Sequence, residues 1–169
     1  MWRRFSSRTG CVIFAFLVTI SGARASNELS DPWIRGVFTG KSPRPVPIIE
    51  NEAWQRANEL AGLTAGAFVL IGTGGSMQPL YPPGTILVMQ PRPYAALERG
   101  ETALYRSKGR KIVAHVLVAK VRDGWRVAGL SNRIHDMEPV QRDNLVGVVI
   151  AAFTPLRSDR MVRFASVNR

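Results

Sequence analysis

"KIVAHVLVAKVRDGWRVAGL", Lys111 to Leu130, decides the fold class. Eleven residues rich in Val, Ile and Ala are broken by "RDG", Arg122 to Gly124, and a second apolar stretch, "WRVAGL", follows. Two β-favouring runs joined by a short turn ending in glycine form a β-hairpin. The same grammar recurs on both sides. "AFVLIG" is a short buried run, "TILVMQ" follows "PPG", "ETALYRS" follows "LERG", and "NLVGVVIAAF" is a last apolar run. Strands this dense, with Gly and Pro turns between them, predict a mainly β barrel or sandwich over residues 61–156. No internal repeat interrupts the pattern.

One helix is expected ahead of the strands. In "IIENEAWQRANELAGL", Ile48 to Leu63, the apolar residues Ile49, Ala53, Trp54, Ala57 and Leu60 recur near helical spacing. Packing against the β part is the simpler use of that face. Upstream, Ser26 to Pro47 is rich in Pro, Gly and Ser and reads as an extended segment or linker, so residues 26–60 form an N-terminal extension with a short helix. Residues 157–169, "RSDRMVRFASVNR", read as a basic C-terminal tail.

The first 25 residues have another character. "MWRRFSSR" is basic, "CVIFAFLVTI" from Cys11 to Ile20 is unbroken and apolar, and "SGARAS" carries Ala23 and Ala25 in the A-x-A arrangement. This is the order of a secretory signal peptide. The apolar run is shorter than the ~20 residues that span a hydrocarbon core, although Ser21 to Ala23 extend it, so a retained anchor is the second reading. Either way the β part is expected outside the cytoplasmic membrane, periplasmic or extracellular. Cys11 is the single cysteine. The mature chain would hold no disulfide and no thiolate metal site, and neither a metal nor a cofactor is expected.

The 169-residue chain carries a formal charge of +11. Arg3, Arg4, Arg8 and Arg24 fall in the N-terminal segment, which has no acid. The remaining basic residues are scattered, with no basic run, helix-turn-helix pattern or zinc spacing to mark nucleic acid. A solvated or membrane-proximal surface accounts for them better.

The chemistry centres on "GTGGSMQPLYPPG", Gly72 to Gly84. It is either a plain turn or a turn that presents one hydroxyl, Ser76. Gly74 and Gly75 would let the backbone turn, and Pro79 fixes φ just after it. A serine becomes a useful nucleophile only beside a base. The chain has two histidines, His115 and His135. His115 lies mid-strand, and alternation places it on one face with Lys111, Val113, Leu117 and Ala119, while Lys120 points the other way. Lys111 is four residues away, ~13 Å along a strand. His115 is therefore the better base for Ser76, against the alternative of a buried histidine satisfied by backbone. Asp136 lies in "LSNRIHDMEP", a loop that the RDG hairpin carries back toward the start of the His115 strand. A carboxylate there either orients an imidazole or simply caps the loop.

These stretches together resemble the type I signal peptidases and their LexA-like serine peptidase relatives. "GGSMQPLYPPGTILVMQ" is similar to the Ser-Met-x-Pro box, "LERGETALY" to the next Gly-Asp segment, "IVAHVLVAK" to the box holding the general base, "VAGLSNRIHD" to the Lys-Gly-Asp-Asn-Asn box, and "NLVGVVIAAF" to the closing Val-Gly strand. The boxes follow family order from Ala67 to Phe153. The resemblance is closest to the archaeal and endoplasmic-reticulum branch, whose base is His instead of Lys. It implies the compact signal-peptidase fold, with Ser76 as nucleophile, His115 as base and Asp136 as the residue that orients it. The implied activity is a serine endopeptidase that cuts extended peptides or preproteins after small residues through an acyl-enzyme. A LexA-type module that cuts its own chain, or an inactive β domain that binds peptides, are the alternatives. Departures occur at Thr85, Glu101, Leu130, Ser131 and Gly74, where the family usually has Asp, Asp, Asp, Asn and Ser. Without a Ser at position 74, the Ser76 N–H is the remaining expected oxyanion donor, with Thr73 nearby.

N-terminal sequencing of the protein purified from its host should begin at Ser26. A chain that begins at the initiator end and sediments with membranes would replace export by anchoring.

Overall fold

The computed structural model describes residues 31–156. The expected signal segment, with Cys11, and the expected C-terminal tail lie outside these residues. The described chain is mainly β with one α-helix. It runs β1 (Trp33–Ile34), β2 (Val37–Phe38), β3 (Val46–Ile49), α1 (Glu50–Leu63), β4 (Phe68–Ile71), β5 (Ile86–Gln90), β6 (Thr102–Arg106), β7 (Ile112–Val121), β8 (Gly124–Ala128) and β9 (Leu145–Leu156). No helix among these residues is long and apolar enough to cross a membrane.

The anticipated hairpin is β7–β8, antiparallel from Val116↔Ala128 to Val121↔Gly124. Gly124 closes it at φ +140°, and a Cβ there would stand 2.5 Å from the Val140 carbonyl oxygen. Only glycine suits both demands. A bulge between Leu117 and Ala119 leaves Val118 outside the simple register. Alternation therefore places residues reliably up to Leu117, and counting by twos to Ala119 and Lys120 fails. Lys111 and Lys120 are both exposed.

The strands join in the order β4-β5-β9-β6-β7-β8, with β3 pairing β9 in parallel. β4 and β8 end that path without pairing to each other, so the sheet stays open and the closed-barrel form of the expectation is corrected. Alternating side chains give the sheet a core on each face. Leu87 and Met89 of β5, Leu104 of β6 and Val116 of β7 share one cluster with Met77, Leu80 and Leu130. On the opposite face, Ile86, Val88 and Phe153 meet Ala53 and Ala57 of α1. Farther along that opposite face, Ala103, Tyr105, Leu117 and Val127 pack with Trp125 and Val140.

The helix begins at Glu50, two residues later than its pattern suggested, because Ile48 and Ile49 belong to β3. The segment before it is also more than a linker. Val46 to Ile49 run beside Phe153 to Leu156, and the β1–β2 hairpin buries Ile34 and Val37 among the core residues near Met77.

A candidate Ser-His-Asp site

Ser76, His115 and Asp136 come from three separate parts of the chain and meet at one point. Ser76 sits in the turn between β4 and β5. Gln78 N–H donates to the Gly75 carbonyl (3.1 Å), and Tyr81 N–H to that of Met77 (2.9 Å). Met77 is buried and fixes the turn to the core. The loop after β8 clamps the turn from outside: Ser131 N–H donates to the Ser76 carbonyl (2.9 Å) and Ser131 Oγ to that of Gly75 (2.7 Å). The expected reason for the glycines does not hold. Neither Gly74 nor Gly75 has positive φ, and an added Cβ would meet nothing within 4 Å at Gly74 and only the Gln78 side chain at Gly75. The turn is held by its own bonds and by Ser131.

His115 lies on β7 at 5% exposure. Its partner across β6 is Ala103, which leaves room for the ring. On the other side β8 ends at Ala128, and the next residue is Gly129. A Cβ at Gly129 would lie 2.9 Å from His115 Nε2 and 2.7 Å from Asn132 Nδ2. The bare backbone there gives the imidazole its path to the turn, where Nε2 stands 2.9 Å from Ser76 Oγ.

Asp136 is anchored by its N–H to the Val127 carbonyl (3.0 Å), which turns the loop back along β8. Its Oδ2 accepts from His115 Nδ1. It also accepts from the Tyr105 hydroxyl at 2.5 Å. Burial pushes the Asp136 carboxyl up, but the bonds from His115 and Tyr105 and the nearby His115 and His135 outweigh this and hold it below its ordinary value. An ionised carboxylate only accepts. The Nδ1 proton therefore points at Asp136, and Nε2 is free to accept from Ser76. The Tyr105 hydroxyl is pushed well above its usual value, first by burial and then by the bond to Asp136 and its charge, so it stays a donor.

Tyr105 was not among the residues picked from sequence. A tyrosine in "ETALYRS" reads as core, and only the strand register places it one step diagonally from His115. His135 is exposed, and it is His115 that meets the Ser76 hydroxyl. Leu130, Thr85 and Glu101 have structural uses. Leu130 is core. Thr85 Oγ1 donates to the Pro82 carbonyl at 2.6 Å. Glu101 pairs with Arg92 and accepts from Glu98 N–H at 2.8 Å.

A cavity of about 400 Å³ opens at Ser76, walled by Leu70, Gly72, Met77, Leu104 and Ala114. A second, of about 600 Å³, is lined by Trp33, Arg35, Gln78, Pro79 and Ser131, and so adjoins the residues that follow Ser76. Among the described residues the Ser76 N–H has no hydrogen-bond acceptor. No family model matches this chain, and no curated protein sequence matches it.

Gly129→Ala should uncouple the site with the fold kept. The new methyl must displace the imidazole or the Asn132 amide, so labelling of Ser76 by a serine-directed phosphonate should slow sharply while the melting temperature changes little. Unchanged labelling would show that the ring does not need that space.

Asp136 should also tie stability to acid. Its folded pKa is below its unfolded value of ~3.9, so its contribution is complete above that pH and is lost as pH falls through the folded value. The melting temperatures of wild type and Asp136→Asn should differ at neutral pH and converge in acid below about pH 3.9. A gap that stays constant would mean that the carboxylate is not held ionised by its neighbours.

Proposed function

We propose that this chain is a serine endopeptidase of the signal-peptidase type. The observation that carries the reading is the unbroken line Ser76 Oγ, His115 Nε2, His115 Nδ1, Asp136 Oδ2, with the hydroxyl end open to a cavity. In that line Ser76 Oγ attacks the peptide carbonyl carbon as its proton passes to His115 Nε2. Asp136 keeps Nδ1 protonated and stabilises the imidazolium. The carbonyl oxygen gains negative charge next to the Ser76 N–H, which has no acceptor among the described residues. His115 then gives its proton to the leaving amine, and the C–N bond breaks. Water, deprotonated by the same imidazole, hydrolyses the acyl-enzyme and restores Ser76.

The sheet suits an extended substrate. β4 is an edge strand of the sheet that leads directly into the Ser76 turn. A peptide added to such an edge is held by main-chain bonds, and pockets then select alternate side chains. The cavity at Ser76 is walled mainly by apolar side chains, and the preference for small residues before the cut rests on the family resemblance. The family resemblance, the compact sandwich form of the fold and an extracytoplasmic location belong to the same reading.

His115→Ala and Ser76→Ala should each lower kcat/KM on an extended peptide toward ~10⁶-fold, because the two groups act as one unit. Asp136→Asn should cost less, up to ~10⁴-fold. Lys111→Ala and Lys120→Ala should remain near wild type. A dead lysine variant beside an active His115→Ala enzyme would replace this assignment with a Ser-Lys dyad.

A further inference from the structure

Asp136 raises a question of rigidity. It sits in an irregular loop whose neighbours His135 and Met137 are exposed, Met137 at 94%. The backbone bond to Val127 fixes where the residue is, but not where the carboxylate points, since the last torsion of an Asp side chain is broad. The bond to His115 does not settle that torsion alone, because the orientation of His115 is what the carboxylate is there to set. A third group, itself immobile, is needed.

Tyr105 supplies it. The residue is 2% exposed, on a central strand between β7 and β9. Across β6–β7 its partner is Val113, and His115 pairs with Ala103, so tyrosine and histidine are diagonal neighbours on one face. Their rings meet edge-on, with centroids 6.4 Å apart. On its other side the β6–β9 pairing shifts register between Leu104 and Tyr105. The extra residue there, Val146, belongs to β9, so β6 runs unbroken through Tyr105. Packing alone would be satisfied by phenylalanine, and a buried hydroxyl is costly unless bonded. Its bond goes to the same Oδ2 that accepts from His115.

We propose that Tyr105 is a positioning residue, whose hydroxyl locks the Asp136 carboxylate and, through it, the His115 ring that faces Ser76. The effect on turnover rests on the peptidase reading, but the effect on the ring does not. Substrate need not touch Tyr105, so the hydroxyl acts on the chemical step and leaves peptide binding alone.

The test is Tyr105→Phe in the full chain, which removes one oxygen and keeps the ring. Proton NMR of the free protein would follow the low-field Nδ1–H signal of His115, assigned by its loss in His115→Ala. Peptide kinetics would separate kcat from KM. The expected result is a shifted or broadened Nδ1–H signal, kcat lowered about 10–100-fold, the scale seen when a hydrogen-bond partner behind a metal-bound histidine is removed, and KM unchanged. Tyr105→Phe added to Asp136→Asn should cost nothing further, since the hydroxyl acts only through the carboxylate. An Nδ1–H signal left in place, or losses that add independently in the double variant, would overturn the proposal. A shifted signal in a protein whose wild type cuts no peptide would support Tyr105 and sink the peptidase reading.

Discussion

The His115 imidazole joins a carboxylate on one loop to a hydroxyl on another, and it does so from the middle of a strand. A strand offers a side chain little latitude: the residue must stand out from one face, between whatever its two neighbours present. Here those neighbours are nearly absent. Ala103 presents a methyl group, and β8 stops just before Gly129, which presents no side chain at all. The space they leave is what the ring occupies. Much of the surrounding structure follows from that gap. The loop after β8 starts where it must to clear the ring, and it then uses Ser131 to grip the Ser76 turn and Asp136 to meet Nδ1.

The same loop also fixes what residues 130 and 131 can be. An acidic residue at position 130 would point into the apolar cluster that Leu130 fills at 1% exposure. A burial of that kind, without a partner, is strongly disfavoured. Ser131 is short enough to reach the Gly75 carbonyl directly. The clamp on the Ser76 turn is therefore built from backbone and one small hydroxyl.

That Ser76, His115 and Asp136 could meet was legible in the sequence because their signals are local. Ser76 lies in a marked turn, His115 is the sole histidine in a strand pattern, and Asp136 follows a hairpin whose turn is written in three residues. The strands from β4 onward fall within a few residues of their apolar runs. What escaped the sequence depends on pairing between distant segments. β3 contains a proline and shows no alternation, yet four of its residues pair with β9. The extra residue Val118 breaks the face count within β7 without any mark in the sequence. Tyr105 looks like any core aromatic until the β6–β7 register is known. The glycines of the Ser76 turn misled in the other direction, since their backbone angles are ones that other residues adopt.

The position of β9 has a consequence for how the molecule comes into being. Ser76 belongs to the β4–β5 side of the sheet and His115 to the β6–β8 side, and β9 is the strand that lies between β5 and β6. It is also the last strand among the described residues. During synthesis the hydroxyl-bearing half and the imidazole-bearing half emerge first, with no ladder joining them. Contacts that close over so long a stretch of chain form late. Among the described residues Leu145 to Leu156 form the only main-chain ladder between the side that carries Ser76 and the side that carries His115, so a chain cut short before that strand would keep the hydroxyl and the imidazole but lose the ladder that sets their spacing.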